Sequence, residues 1–241
     1  MKASSRGLIV AVFLCAVSCY GTTVIVMRTA GGVLVAADAK VIRQGSNAPP
    51  RCKIHQYGNV FVAIASVSEN DRAGLDTERI VRTAIATPGP LFSKVESFRS
   101  VASKYLLADV ESVKKSNPSF YEQAYRGKRI LDVTFASMNA DMPEAVVQTF
   151  LVDGTGTLHD LRSPLGDHRV LATGMTNAIK SYTDQNSDWY SQLGPDVAIK
   201  KLMELEIASN KDAVGPPVSI LKMDAGGARW VEPGACPAIR K

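Results

Sequence analysis

Histidine is scarce in this chain, and His55, His159 and His168 form no cluster with one another or with the cysteines. No metal-ligand spacing results, so no metal is expected, and nothing in the sequence calls for an organic cofactor. Charge of one sign is equally lacking. The net charge is +5, two of the positive charges are Lys2 and Arg6 near the start, and no basic tract carries interleaved aromatics. That balance argues against a nucleic-acid partner. Long apolar runs are missing too: Leu8–Val17, ten residues, falls well short of the roughly 20 that a membrane-spanning helix needs. There is no internal repeat, low-complexity tract or linker, so one large domain accounts for the length.

What is present begins with a leader. Met1–Gly7 carries Lys2 and Arg6, Leu8–Val17 is apolar, and Ser18-Cys19-Tyr20-Gly21 forms a short exit region. That order is the one expected of a secretory signal, with a buried N-terminal helix as the alternative. Cleavage after Gly21 uses small residues at Cys19 and Gly21 and leaves Thr22 first. Cleavage after Ser18 leaves Cys19 first, and Ala16-Val17-Ser18-Cys19 weakly matches a lipoprotein signal that would anchor the chain through Cys19. The expected organisation is therefore a signal peptide over 1–21 and a single domain over 22–241, secreted, periplasmic or lipid-anchored. Beyond the leader only Cys52 and Cys236 remain, and in an exported chain they form either one disulfide or two unpaired thiols.

Apolar periodicity gives the element order. Thr22–Arg28 and Val33–Ala37 read as strands around Gly31-Gly32, and Asn59–Ser66 as a third; the last two are continuous apolar runs that suit burial on both faces. Lys40–Arg51, polar and containing Gly45 and Pro49-Pro50, reads as a loop. Helical spacing follows in Thr77–Ile85, then in a long stripe from Leu91 to Val113 that Asn117-Pro118 ends. Strands are expected over Arg129–Met138, Ala145–Val152, Thr157–Leu161 and Val170–Ala172. Helices follow over Asn177–Tyr190 and Pro195–Ser209, then strands over Pro217–Met223 and Ala228–Val231. Grouped strands and grouped helices predict an α+β chain, a four-layer αββα sandwich of two antiparallel sheets between helical layers.

Three polar residues punctuate the apolar strands: Thr22 begins the first, Asp38 ends the second and Lys53 precedes the third. A tight hairpin brings Thr22 and Asp38 to one end, and Lys53 reaches it if the third strand lies alongside. A threonine freed at its amine carries nucleophile and base together, because an α-amine with a pKa of about 7.7–8.0 accepts the hydroxyl proton near neutrality. The lysine then stabilises the alkoxide and the aspartate holds the lysine. The plainer alternative is a solvated strand-end aspartate and a surface lysine.

The same residues carry a resemblance. Thr22-Thr23-Val24, then Gly31-Gly32-Val33-Leu34-Val35-Ala36-Ala37-Asp38, then Lys53-Ile54 resembles the opening of a proteasome β-type subunit, an N-terminal nucleophile hydrolase. Lys211-Asp212-Ala213 ahead of Pro217-Val218-Ser219-Ile220 resembles the family's later Arg-Asp-Ala and Pro-Val-Ser segments. The resemblance implies Thr22 as nucleophile, Asp38 and Lys53 in support, Asp212 as a supporting aspartate, and the αββα fold. It also implies self-association in a ring and cleavage of peptide bonds, and the leader, which takes the chain away from ATP, points to a peptide or unfolded protein as substrate. Departures are specific. Ala172-Thr173-Gly174-Met175 stands where the family has Gly-Ser-Gly-Ser, leaving Thr173 as the supporting hydroxyl. Gly215 stands where a supporting serine is expected, and Ser66 replaces a glycine whose N–H serves the oxyanion. The expected function is an exported threonine peptidase. The alternatives are a catalytically inactive binding or assembly protein with an uncut or lipidated leader, and an amidase acting on small amides.

Overall fold

The computed structural model describes residues 22–43, 46–66, 69–70, 74–139, 142–166, 169–186, 189 and 193–240. The expected leader, His168 and the end of the helix expected to run to Tyr190 lie outside them. In chain order the strands are β1 (Thr23–Thr29), β2 (Gly32–Asp38), β3 (Val41–Arg43), β4 (Ser46–Ala48), β5 (Ile54–Tyr57), β6 (Val60–Ser66), β7 (Glu69–Asn70) and β8 (Leu75–Asp76). Helices α1 (Thr77–Ile85), α2 (Leu91–Ser116) and α3 (Pro118–Ala124) follow, then β9 (Lys128–Asn139), β10 (Met142–Val152), β11 (Leu158–Pro164) and β12 (Val170–Gly174). Helices α4 (Asn177–Gln185) and α5 (Pro195–Ser209) precede β13 (Val218–Asp224) and β14 (Gly227–Glu232).

Two five-stranded antiparallel sheets dominate, one ordered β12-β1-β2-β13-β14 and the other β11-β10-β9-β6-β5. Strand alternation sorts their side chains. Val24, Val26, Val33, Val35 and Ala37 of the first meet Phe61, Ala63, Ala65, Ala136 and Val147 of the second in an apolar interior between the sheets. The opposite face of the second sheet packs on α1–α3, where Leu91, Val95, Phe98, Ala102, Leu106, Val110 and Val113 of α2 repeat at threes and fours. Phe98 sits edge-on to Phe135 and Phe150, with centroids at 5.3 and 6.2 Å. Each such side chain contributes roughly 1.5–3 kcal/mol on burial. The outer face of the first sheet takes Ile179 from α4 and Ala198, Ile199, Leu202 and Met203 from α5.

The expected four-layer αββα sandwich of two sheets is corrected. Among the described residues the strands divide into four sheets, because β3–β4 and β7–β8 each form a separate two-stranded ladder. The first of these lies in the stretch read as a loop: its polar composition and prolines hid a hairpin whose Val41 is buried. Asn117-Pro118 ends α2 as expected and also opens a further helix. Asn117 accepts the Phe120 N–H and Pro118 opens α3, a use of proline at a first helical turn that the break reading overlooked. Among the described residues no helix is long and apolar enough to cross a membrane.

Candidate active site

The β1–β2 hairpin pairs Val24 with Ala37, which puts Thr22 and Asp38 at one end. Thr22 directly precedes β1 and is buried, 3% exposed; Asp38, the last residue of β2, is 1% exposed. Lys53 arrives from elsewhere than expected. Lys53 directly precedes β5, which belongs to the facing sheet, so the lysine reaches the hairpin end across the gap between sheets. Two anchors set its position. Cys52 is disulfide-bonded to Cys236, and Ile54 is buried in the interior between the sheets. The Arg51 N–H also donates to the Ala39 carbonyl at 3.0 Å, tying the preceding loop to the end of β2.

There the Lys53 ammonium lies 2.9 Å from Thr22 Oγ1 and 3.0 Å from each oxygen of Asp38. Asp38 also accepts the N–H of Thr23 at 2.9 Å, of Lys40 at 3.1 Å and of Gly215 at 3.4 Å. Burial is the larger influence on both members of the ion pair. It raises the Asp38 pKa, against the pull of Lys53 and of the Thr23 and Gly215 N–H groups. It lowers the Lys53 pKa, against the pull of Asp38. The lysine proton is therefore held less tightly than in solution, beside a threonine hydroxyl.

The Thr22 backbone is fixed from β12. The Met175 N–H donates to the Thr22 carbonyl at 2.9 Å, and the Thr23 hydroxyl donates to the Met175 carbonyl at 2.7 Å. Gly174 makes this approach feasible. Its φ is +80°, and a Cβ there would lie 1.9 Å from the Thr22 carbonyl oxygen.

The structure thus gathers Thr22, Asp38 and Lys53, and two other expected residues make no side-chain hydrogen bond to them. Asp212 lies exposed in the turn after α5 and makes no hydrogen bond or ion pair among the described residues. Thr173 is buried opposite Val24, but its hydroxyl has no hydrogen-bond partner among the described residues. Ser66 ends β6 opposite Leu131, and the adjacent Ala65 Cβ lies 3.3 Å from where a Gly174 Cβ would stand. Gly215, expected as a lost hydroxyl, serves through its N–H instead. The contributions missed in the sequence are the main-chain groups of Thr23, Met175 and Gly215. A backbone donor leaves no trace in residue type, and only the glycine ending β12 marked the spot.

Cys52 and Cys236, left open by the sequence, form a disulfide. Among the described residues no three histidine, cysteine, aspartate or glutamate side chains group in a way that could hold a metal ion. The chain matches no family model and no curated protein.

Proposed function

We propose that this protein is an exported N-terminal-threonine peptidase, activated when cleavage after Gly21 frees the Thr22 amine. The observation that carries the reading is the Lys53 ammonium held between the Thr22 hydroxyl and both oxygens of a buried Asp38. Its similarity to the opening of proteasome β-type subunits supports the same roles, and the disulfide suits an oxidising compartment outside the cytoplasm.

In this mechanism the Thr22 α-amine takes the hydroxyl proton as Oγ1 attacks the peptide carbonyl. Lys53 stabilises the developing alkoxide, and Asp38 keeps the lysine in place and balances its charge. Collapse of the tetrahedral adduct breaks the C–N bond, and the amine proton passes to the leaving nitrogen. The remaining ester on Thr22 is hydrolysed by water, which returns a proton to Oγ1 and releases the acid.

N-terminal sequencing of exported protein tests activation: Thr22 is expected first, and a chain starting at Cys19 without further processing refutes the reading. Thr22→Ala should lower peptide hydrolysis at least about 10³-fold with folding intact, because the nucleophile is gone. Retained turnover removes Thr22 from the mechanism. A parallel panel of simple amides separates peptidase from amidase, and cleavage of amides alone would overturn the peptide substrate.

A further inference from the structure

Strand β9 alternates. Leu131, Val133 and Phe135 face the helices, whereas Asp132, Thr134 and Ala136 face the other sheet. Asp132 is 1% exposed, an unusual place for a carboxyl group, with the buried Thr134 and Thr149 near it. It sits opposite Ala65 of β6, and Ala65 packs against Gly174, whose backbone touches the Thr22 carbonyl. Asp132, Ala65, Gly174 and Thr22 therefore form a continuous line from one sheet to the other.

The carboxyl group is only partly satisfied. Oδ1 accepts the Thr149 hydroxyl at 2.5 Å, while Oδ2 has no hydrogen-bond partner among the described residues. Burial raises its pKa; the Thr149 hydroxyl, the charge of Arg129 and the N–H of Gly174 pull it back. The register locates this acid beside Ala65, whose Cβ lies 3.3 Å from where a Cβ on Gly174 would stand, next to the backbone that carries the Thr22 carbonyl. Packing alone does not account for an acid here, since an apolar side chain of similar volume would fill the same space without an orphaned oxygen.

We infer that Asp132 is a positioning residue for the nucleophile: it steadies the Gly174–Met175 backbone from the facing sheet, and that backbone fixes Thr22. The inference rests on the hydrolase reading for its kinetic consequence but not for its structural one. Asp132 touches neither Thr22 Oγ1 nor Lys53, so its removal should move the nucleophile without changing the groups around it.

Asp132→Leu in the processed protein tests this. A displacement of the reacting atom by about 1 Å costs on the order of 10²-fold, so kcat should fall about 10- to 100-fold with KM within about twofold. Asp132→Asn, which keeps the side-chain volume and an oxygen able to accept the Thr149 hydroxyl, should recover most of that loss. Thr149→Val, which frees Oδ1, should lower kcat severalfold and covers the case in which Asp132→Leu does not fold. Amide exchange is followed in the same variants. The Met175 N–H should exchange at least about tenfold faster while amides of β9 and β10 keep their protection. Unchanged kcat and unchanged Met175 exchange in Thr149→Val and in a folded Asp132→Leu would overturn the inference. So would a kcat loss that only follows the unfolded fraction. If the wild type hydrolyses nothing, the function fails separately, and Met175 exchange still decides whether Asp132 positions Thr22.

Discussion

At the scale of single residues, the polar contacts of the candidate site converge on Lys53. Among the described residues it is the one cation bonded to the Thr22 hydroxyl, and its charge is balanced by an aspartate that takes hydrogen bonds from three N–H groups besides. Its lowered pKa gives a pH prediction whose sign follows directly. The rate should rise as the Thr22 amine loses its proton, near its reference pKa of about 7.7–8.0. It should fall again as Lys53 loses its own. Because burial moves that loss below the usual 10.5, the alkaline limb of kcat/KM should lie below pH 10.5. Lys53→Met should remove this limb and lower kcat by about 10²–10³-fold, the range for loss of one charge-stabilising donor. An alkaline limb that survives in Lys53→Met assigns it to another group. Much of this site was legible beforehand, because Thr22, Asp38 and Lys53 interrupt apolar strands where polar residues need a reason. Asp212 and Thr173 were expected from the resemblance of short segments alone, and such a match does not report which contacts a turn residue or a hydroxyl makes.

At the scale of elements, β12 is the short strand on which the site depends. It pairs Gly174 with Thr23 and Thr173 with Val24, so its register sets the height of Thr22 relative to Lys53. Gly174→Ala tests that dependence. The positive φ alone costs an alanine about 1–2 kcal/mol, and the Cβ would also collide with the Thr22 carbonyl. Unfolding by denaturant should show a loss of at least about 2 kcal/mol, with hydrolysis falling further than stability explains. Gly31→Ala is the matched control, since its Cβ would meet nothing within 4 Å. Equal effects in the two variants would deny β12 this role. Element by element, legibility followed apolar content. The long stripe of α2 and the continuous runs of β2 and β6 announce themselves through burial. The short β5, with His55 and Gln56 in its four residues, carries too little apolar signal, and so does the β3–β4 hairpin. The separate ladders that divided the strands into four sheets were invisible for the same reason.

At the scale of the whole molecule, the disulfide joins the site to the far end of the chain. Cys52 immediately precedes Lys53, and Cys236 lies 184 residues later in the segment that follows β14. That segment packs back on the β5 edge, where the Arg240 N–H donates to Gln56 Oε1 at 2.8 Å and the Trp230 indole donates to the Pro237 carbonyl at 2.9 Å. One covalent link therefore serves two ends. It restricts the unfolded chain over a long loop, and it holds the residue beside Lys53 against a segment otherwise attached by a few hydrogen bonds and the packing of Ile239. Cys236→Ser separates the two consequences. Stability should drop by about 2–5 kcal/mol, measured by denaturant unfolding with and without reductant, and reductant should no longer matter in the variant. The kcat of the still-folded variant should also fall, because Cys52 loses the anchor that sets Lys53 against Thr22 and Asp38. A variant less stable yet fully active would mean that Ile54 and the Arg51–Ala39 bond suffice to hold the lysine. The disulfide would then serve stability alone.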